Sequence, residues 1–416
     1  MAPQYAPSLR SRLAPLLLFI QIGFIFMFYF CIEIDNNINA NETPFREFYA
    51  EYQDVNVMVI AGFGFLSAFP VRYSFSSCGF NLLVAAVSTQ WAIILNGIDS
   101  WFYRGKIRVN LKSLVVAEMC ALSALISIGA LMGKANPVQL VLMGLLEVSG
   151  FVLNKWLLQT LLEVPLFHSI MLLHIFGAFF GLTVTWLLYR PASEQPLEKE
   201  KLGQKTGLFS FFGTLLLWMF WPSFNSILVD HRLPGRKLSA VCATYLALAV
   251  SAVTSAGVSM LSSPQGKVNP VQLQSCIFAV ALGISLPVVR EPWEAMTIGF
   301  LAAAMSSAGY SYLKAYMVLA LKCHDTCAVL STHAVPGLFG WMAHLLLQIR
   351  DSDDHTMAIR FAVFHISGLL ITIAMSLAMG VITGVILKAN LWRPPQDRKC
   401  FDDQAYWVFP NLAVRK

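Results

Sequence analysis

The 416-residue chain is 57% apolar and only 12% charged, with a formal net charge of +6 and a mean hydropathy of +0.63. Soluble domains run at about 45–50% apolar and about 25% charged, so this composition excludes a soluble globular protein, a nucleic-acid binder, a disulfide-built secreted scaffold and a disordered chain. It predicts a polytopic helical membrane protein, since about 20 apolar residues suffice for one crossing.

In chain order, Arg10 and Arg12 precede an apolar run without a small-residue cleavage site, which predicts a retained first helix rather than a signal peptide. Twelve spans follow from the hydropathy pattern: 13–34, 55–70, 78–97, 113–133, 137–162, 167–189, 208–229, 239–262, 271–290, 294–312, 326–349 and 359–389. The second and tenth are the least apolar. The expected fold class is therefore all-α, with a membrane domain over 1–389, halves at about 1–189 and 208–389, a polar hinge at 190–207 and a tail at 390–416. An even span count puts both termini on one side. Loops on the N-terminal side hold the larger share of Lys and Arg, and the opposite loops hold Glu42, Glu47, Glu51, Asp54, Asp351, Asp353 and Asp354, which predicts cytoplasmic termini. The first outer loop carries an N-glycosylation sequon at Asn41, with Pro44 close behind it.

Two stretches echo each other. His174 is followed by Gly177 and Gly181 in span six, and His333 by Gly337 and Gly340 in span eleven. Spans two to six and seven to eleven would form five-helix repeats, which an odd count inverts, and inverted repeats place a substrate path at the midplane between the halves. Glycine-rich helices also occur wherever helices pack closely.

Ionisable groups inside spans are costly and usually functional. Here they are Glu118, Glu147, Lys155, His174, His333, His344 and His365. Each imidazole offers a donor and an acceptor, so His174 and His333 could line a narrow polar path, or each could bond a backbone carbonyl or a Ser between helices. Glu118 could pair with Lys155 or be protonated. Glu147 could be a neutral carboxyl, be bonded to free amides or serve a cation. Asp325 is placed to cap the helix that follows it. The run from Leu217 to Ser226 is the densest aromatic stretch, suited to packing, to plugging a pore or to cation–π contact. Cys323 and Cys327 lack the partners of a zinc pattern, no enzyme signature is present, and no cofactor or metal is expected.

These motifs together resemble the Rh proteins of the ammonium transporter superfamily, and within them the Rh blood-group polypeptides. The matching stretches are His174 to Trp186, Leu217 to Ser226, Asp325 to Gly337, Gly129 to Lys134, the tail from Cys400 to Val414, and Tyr5 to Leu13. The resemblance implies a twelve-helix fold, a trimer of Rh-family subunits (homo- or heterotrimeric, the Rh-associated glycoprotein included), a plasma-membrane location and one narrow apolar pore per subunit. It implies that ammonium is stripped of its proton and passes as ammonia along His174 and His333. It maps an inner gate to Phe224 and an outer gate to Ile128, where the family has phenylalanine. Two features depart: the family's acidic residue before the first pore histidine is Leu166 here, and its glycine-rich segment in span nine reads Ala279 to Gly283. The resemblance thus implies either a subunit with weak or no conduction or a working ammonia channel.

Overall fold

The computed structural model describes residues 9–35, 45–188, 202–229, 234–276, 291–352, 354–392, 395 and 400–408; Asn41, Ala279 to Gly283 and most of the 190–207 hinge lie outside these. The described helices are α1 Leu13–Cys31, α2 Phe45–Val57, α3 Phe63–Leu66, α4 Ser74–Asn96, α5 Ile98–Arg104, α6 Leu111–Leu131, α7 Pro137–Leu162, α8 Ser169–Leu188, α9 Gln204–Ser226, α10 Pro234–Ser262, α11 Pro270–Cys276, α12 Pro292–Leu321, α13 Val335–Arg350 and α14 His355–Lys388. Their starts carry strong local signals. Asn110 with Ser113, and Asn136 with Gln139, form reciprocal capping boxes, and Pro137 and Pro292 occupy first-turn positions where a missing N–H is harmless.

Side-chain bridges between helix ends fix the direction of each crossing. Arg12 donates to Leu391 O (2.6 Å), and Asn136 donates to Trp392 O (2.6 Å), so the starts of α1 and α7 share a face with the end of α14. The starts of α4 and α9 join them, through Asp403 on the amides of Phe75 and Ser76 and through Thr206 on Phe69 O. This is the proximal face, which carries both described ends of the chain. On the distal face, Ile32–Ile34 pairs in parallel with Ile107–Val109, Ser223 donates to Asp54, Lys237 pairs with Glu51, and Arg350 pairs with Glu294. Pro270, at the start of α11, lies on the proximal side, and Glu291, just before α12, lies on the distal side next to that ion pair. The described crossings alternate, and both described ends lie together.

The two halves repeat one packing plan. In the first, α4 packs on α6 and α7, α6 on α7 and α8, and α7 on α8; in the second, α10 packs on α11 and α12, α11 on α12 and the turn at 330–334, and α12 on α13. Across the halves, α2 and α3 meet α9, and α8 meets α13 and its preceding turn, so these elements touch their own counterparts, as elements beside a pseudo-two-fold axis do. The first copy has five described crossings, an odd count that leaves the second copy inverted relative to it.

Eight described helices are long and apolar enough to cross a membrane unaided. The second and eleventh spans are not continuous α-helix. Wider π turns interrupt them at Met58–Gly62 and Leu330–Ala334, a feature that often marks functional sites. Helix α12 has the length, but Ser306, Ser307 and Ser311 dilute its apolar content. The short strand pair at 32–34 and 107–109 adds a feature that the all-α expectation did not contain. Large exposed side chains such as Phe19, Phe26 and Leu370 lie on the periphery, where an apolar surface suits lipid. The segment 400–408 of the expected tail is docked: Phe401 is fully buried and its N–H donates to Gly133 O (2.9 Å).

Candidate pore site

Helix α8 brings His174 to the centre because two glycines let it lie against α6. A Cβ at Gly177 would stand 2.6 Å from Ser123 O, and one at Gly181 would stand 2.7 Å from Ser127 Cα and O. This closeness permits direct bonds to the α8 backbone, from Ser123 Oγ to Leu173 O (3.1 Å) and from Ser127 Oγ to Gly177 O (2.8 Å). His333 arrives differently, on the π turn before α13. Asp325 caps that turn by accepting from Leu330 N–H (2.8 Å). Upstream, Cys327 N–H donates to Gly129 O (3.1 Å) and Thr326 Oγ1 to Met132 O (3.1 Å), tying the approach to the end of α6. Gly337 keeps α13 against Ile175, the residue after His174.

The two imidazoles meet. Their planes lie within 4° of parallel and their centroids are 5.4 Å apart. His174 is 0% and His333 is 7% exposed. Both ring nitrogens of His174, and Nδ1 of His333, are buried without a hydrogen-bond partner in the protein. The backbone or serine partners that would make these purely packing residues are therefore not bonded to those atoms. Aromatic rings enclose the pair. Trp221 lies nearly parallel to His174 (5.9 Å, 21°), Phe224 meets it edge-on (6.5 Å, 67°), and Phe63 covers both His333 (6.3 Å) and Trp221 (6.2 Å). Phe224 and Trp221 are fully buried. Of the aromatic run's open roles, plugging and packing fit this geometry.

On the proximal side of His333 is a cavity of about 50 Å³, lined by Asn81, Ser67, Thr332, Gln274 and Cys327 among apolar neighbours including Leu125, Ile126 and Gly129. Each water-sized centre needs about 10–15 Å³, so a few small polar molecules fit. The cavity reaches His333 and not His174.

Phe224 and Ile128, to which the resemblance maps the inner and the outer gate, lie toward opposite faces. Phe224 is in the last turn of α9, next to Ser223 and its distal-face partner Asp54, while Ile128 is in the last turn of α6, which ends among Met132, Thr326 and the proximal tail. Phe224 is the distal residue and Ile128 the proximal one. Counting crossings explains this: the seventh span leaves on the distal face and the fourth on the proximal face. Ile128 is 2% exposed but is not among the cavity-lining residues.

Other residues at the site lie outside the sequence motifs. Phe63, Ser67 and Asn81 come from the second and third spans, where neither a histidine nor a glycine pattern pointed to them. Glu118 and Lys155 do not pair; the Lys155 ammonium instead donates to Asn96. His344 and His365 join His168 and Trp341 in a separate cluster, with His344 and His365 centroids 5.0 Å apart. Cys323 donates to Leu182 O (3.6 Å), and Cys327 faces the cavity instead.

The sequence profile of the Ammonium Transporter Family matches residues 13–399. The chain is 37% identical to ammonium transporter Rh type C of Canis lupus familiaris over 91% of its own length and 86% of that protein's. It is 35% identical to ammonium transporter Rh type B of Danio rerio over 97% and 94%. Its fold superposes on Nitrosomonas europaea Rh50, from work on conduction by the Rhesus family of channels, with a TM-score of 0.76 at 28% identity, covering 88% of this chain and 93% of that one. Saccharomyces cerevisiae Mep2, at 16% identity and a TM-score of 0.66, shares the fold. The chain belongs to the ammonium transporter family, on its Rh branch.

Proposed function

We propose that this protein is a plasma-membrane Rh subunit that keeps the paired-imidazole core of an ammonia path and conducts weakly or not at all. The observation that carries this is the packing of the fully buried Trp221 and Phe224 on His174, with a cavity lined by His333 and Trp221 but not by His174. An apolar lumen penalises an ion heavily, and a neutral molecule crosses only where room and a hydrogen-bonding partner remain. Leu166, in the turn before α8, offers no carboxylate to gather ammonium at the distal mouth. Both termini face the cytoplasm, and the subunit works within an Rh trimer, with copies of itself or with another Rh-family chain such as the Rh-associated glycoprotein. Asp325 supports the path by holding the turn that bears His333, and Asn41 is a glycan acceptor on the outer side.

The second reading is a working ammonia channel gated at Phe224, and the parallel imidazoles, with both His174 nitrogens and His333 Nδ1 unbonded to protein, favour it. Stopped-flow alkalinisation of proteoliposomes under an ammonium jump separates the two. On the first reading the wild type matches protein-free vesicles and Phe224→Ala raises the rate several-fold. Wild-type flux that His174→Ala abolishes would establish the channel instead.

A further inference from the structure

Glu147 lies midway along α7 and is 0% exposed. Its Oε1 is hydrogen-bonded to Ser123 Oγ, and its Oε2 is buried without a partner. Among the described residues no ion pair reaches it. The acidic partners in those pairs are Glu33, Glu51, Glu294 and Asp351. Lys155, two turns further along α7, gives its ammonium to Asn96. An ionised carboxylate here would therefore be an uncompensated charge at mid-membrane depth with one hydroxyl to solvate it, an arrangement that burial disfavours strongly.

The serine sharpens the point. Ser123 Oγ is also 3.1 Å from Leu173 O. A hydroxyl has one proton and a carbonyl only accepts. If Ser123 gives its proton to Leu173 O, its contact with Glu147 is a hydrogen bond only when the carboxyl supplies the proton. Leu173 precedes His174, so this chain of two bonds runs from α7 through α6 to the backbone that carries the imidazole.

We infer that Glu147 is a neutral carboxylic acid that donates to Ser123 Oγ, leaving the serine proton for Leu173 O, and so serves as a positioning residue for His174. Its relevance to transport rests on the pore reading; its protonation and bonding do not. The test compares infrared difference spectra of the purified full-length protein at neutral pH. Wild type minus Glu147→Gln shows the carbonyl band of a protonated carboxyl, with Glu118 cancelling because both proteins contain it. In Ser123→Ala that band moves to higher frequency, since the acid loses its acceptor. Glutamine can donate an amide proton to the same oxygen, so Glu147→Gln keeps the wild-type thermal midpoint while Glu147→Ala lowers it. A difference spectrum with carboxylate bands in place of the acid carbonyl overturns the inference, as does a Glu147→Gln protein destabilised as much as Glu147→Ala. None of these readouts needs ammonia flux, so a failed pore reading leaves them intact.

Discussion

Replacing Gly181 with alanine tests whether the approach of α8 to α6 builds the site. The new Cβ would lie 2.7 Å from Ser127 Cα and O and 3.1 Å from Ser127 C, all backbone atoms that no rotamer change can remove. Restoring the 3.4 Å of an ordinary contact takes a separation of roughly 0.7 Å between the helices, enough overpacking to cost about 1–3 kcal/mol. The same displacement would stretch the 2.8 Å bond from Ser127 Oγ to Gly177 O toward the limit of a hydrogen bond, a further loss of about 1 kcal/mol. Alanine's better helix propensity returns up to about 1 kcal/mol. The net expectation is a destabilisation of about 1–3 kcal/mol, read as a lower midpoint in thermal unfolding of detergent-solubilised protein. Gly23→Ala on α1 is the internal control, because nothing lies within 4 Å of its Cβ; it gains propensity without a clash and should match or exceed the wild type. If Gly181→Ala unfolds at the same temperature as Gly23→Ala, the glycines are not what holds His174 in place.

Three other outcomes are expected. Burial raises the Asp403 carboxyl above its ordinary 3.8, outweighing the amides of Ser76 and Phe75 that pull it down; its contribution to docking of the 400–408 segment is therefore full below 3.8 and is lost as pH rises through the raised value. Hydrogen exchange of that segment should quicken as pH rises beyond the intrinsic chemical trend, and Asp403→Asn should remove the excess. Asp325→Ala deletes the cap on Leu330 N–H and should cost about 1–2 kcal/mol of thermal stability, whereas Asp325→Asn, which can still accept, should cost less. Lys155→Met removes a buried ammonium whose described partner is the neutral Asn96; because uncompensated buried charge is unfavourable, the variant should be as stable as the wild type or more so, and a large drop would mean that the charge has a partner essential to the fold.

Hydropathy made the crossings legible where spans are continuous helices, whether at the periphery or inside the protein, and the His-Gly-Gly echo pointed to the helices that carry the imidazole pair. Two kinds of feature escaped it. The π turns at Met58–Gly62 and Leu330–Ala334 leave no trace in residue period, because a single extra residue per turn is set by tertiary contacts such as Asp325 on Leu330 N–H. The cavity lining also escaped, because Phe63, Ser67 and Asn81 converge from spans without a distinctive motif and only the folded arrangement brings them beneath His333. Lys155 shows a third limit. The sequence offered Glu118 as its partner, whereas the fold brings Asn96, at the end of α4, to its ammonium.

Phe224 and Ile128 show how topology constrains a residue's role more firmly than likeness does. Likeness implies an inner gate at Phe224, and the direction of the span says toward which face that residue stands. Direction is a parity: a span of odd number, counted from a proximal N-terminus, ends distally. The bonds Thr206 to Phe69 O at one end of α9 and Ser223 to Asp54 at the other fix that parity with no reference to any relative. Phe224 then stands between His174 and the distal face, and Ile128 stands in the last turn of α6, on the side of the 50 Å³ cavity but outside its lining. A narrowing at Phe224 therefore acts before the imidazoles on a solute arriving from the distal side and after them on one leaving the cavity. It follows that Phe224→Ala should alter passage in both directions, while enlarging or shrinking Ile128 should register only through packing of α6, as a change in stability without a change in rate.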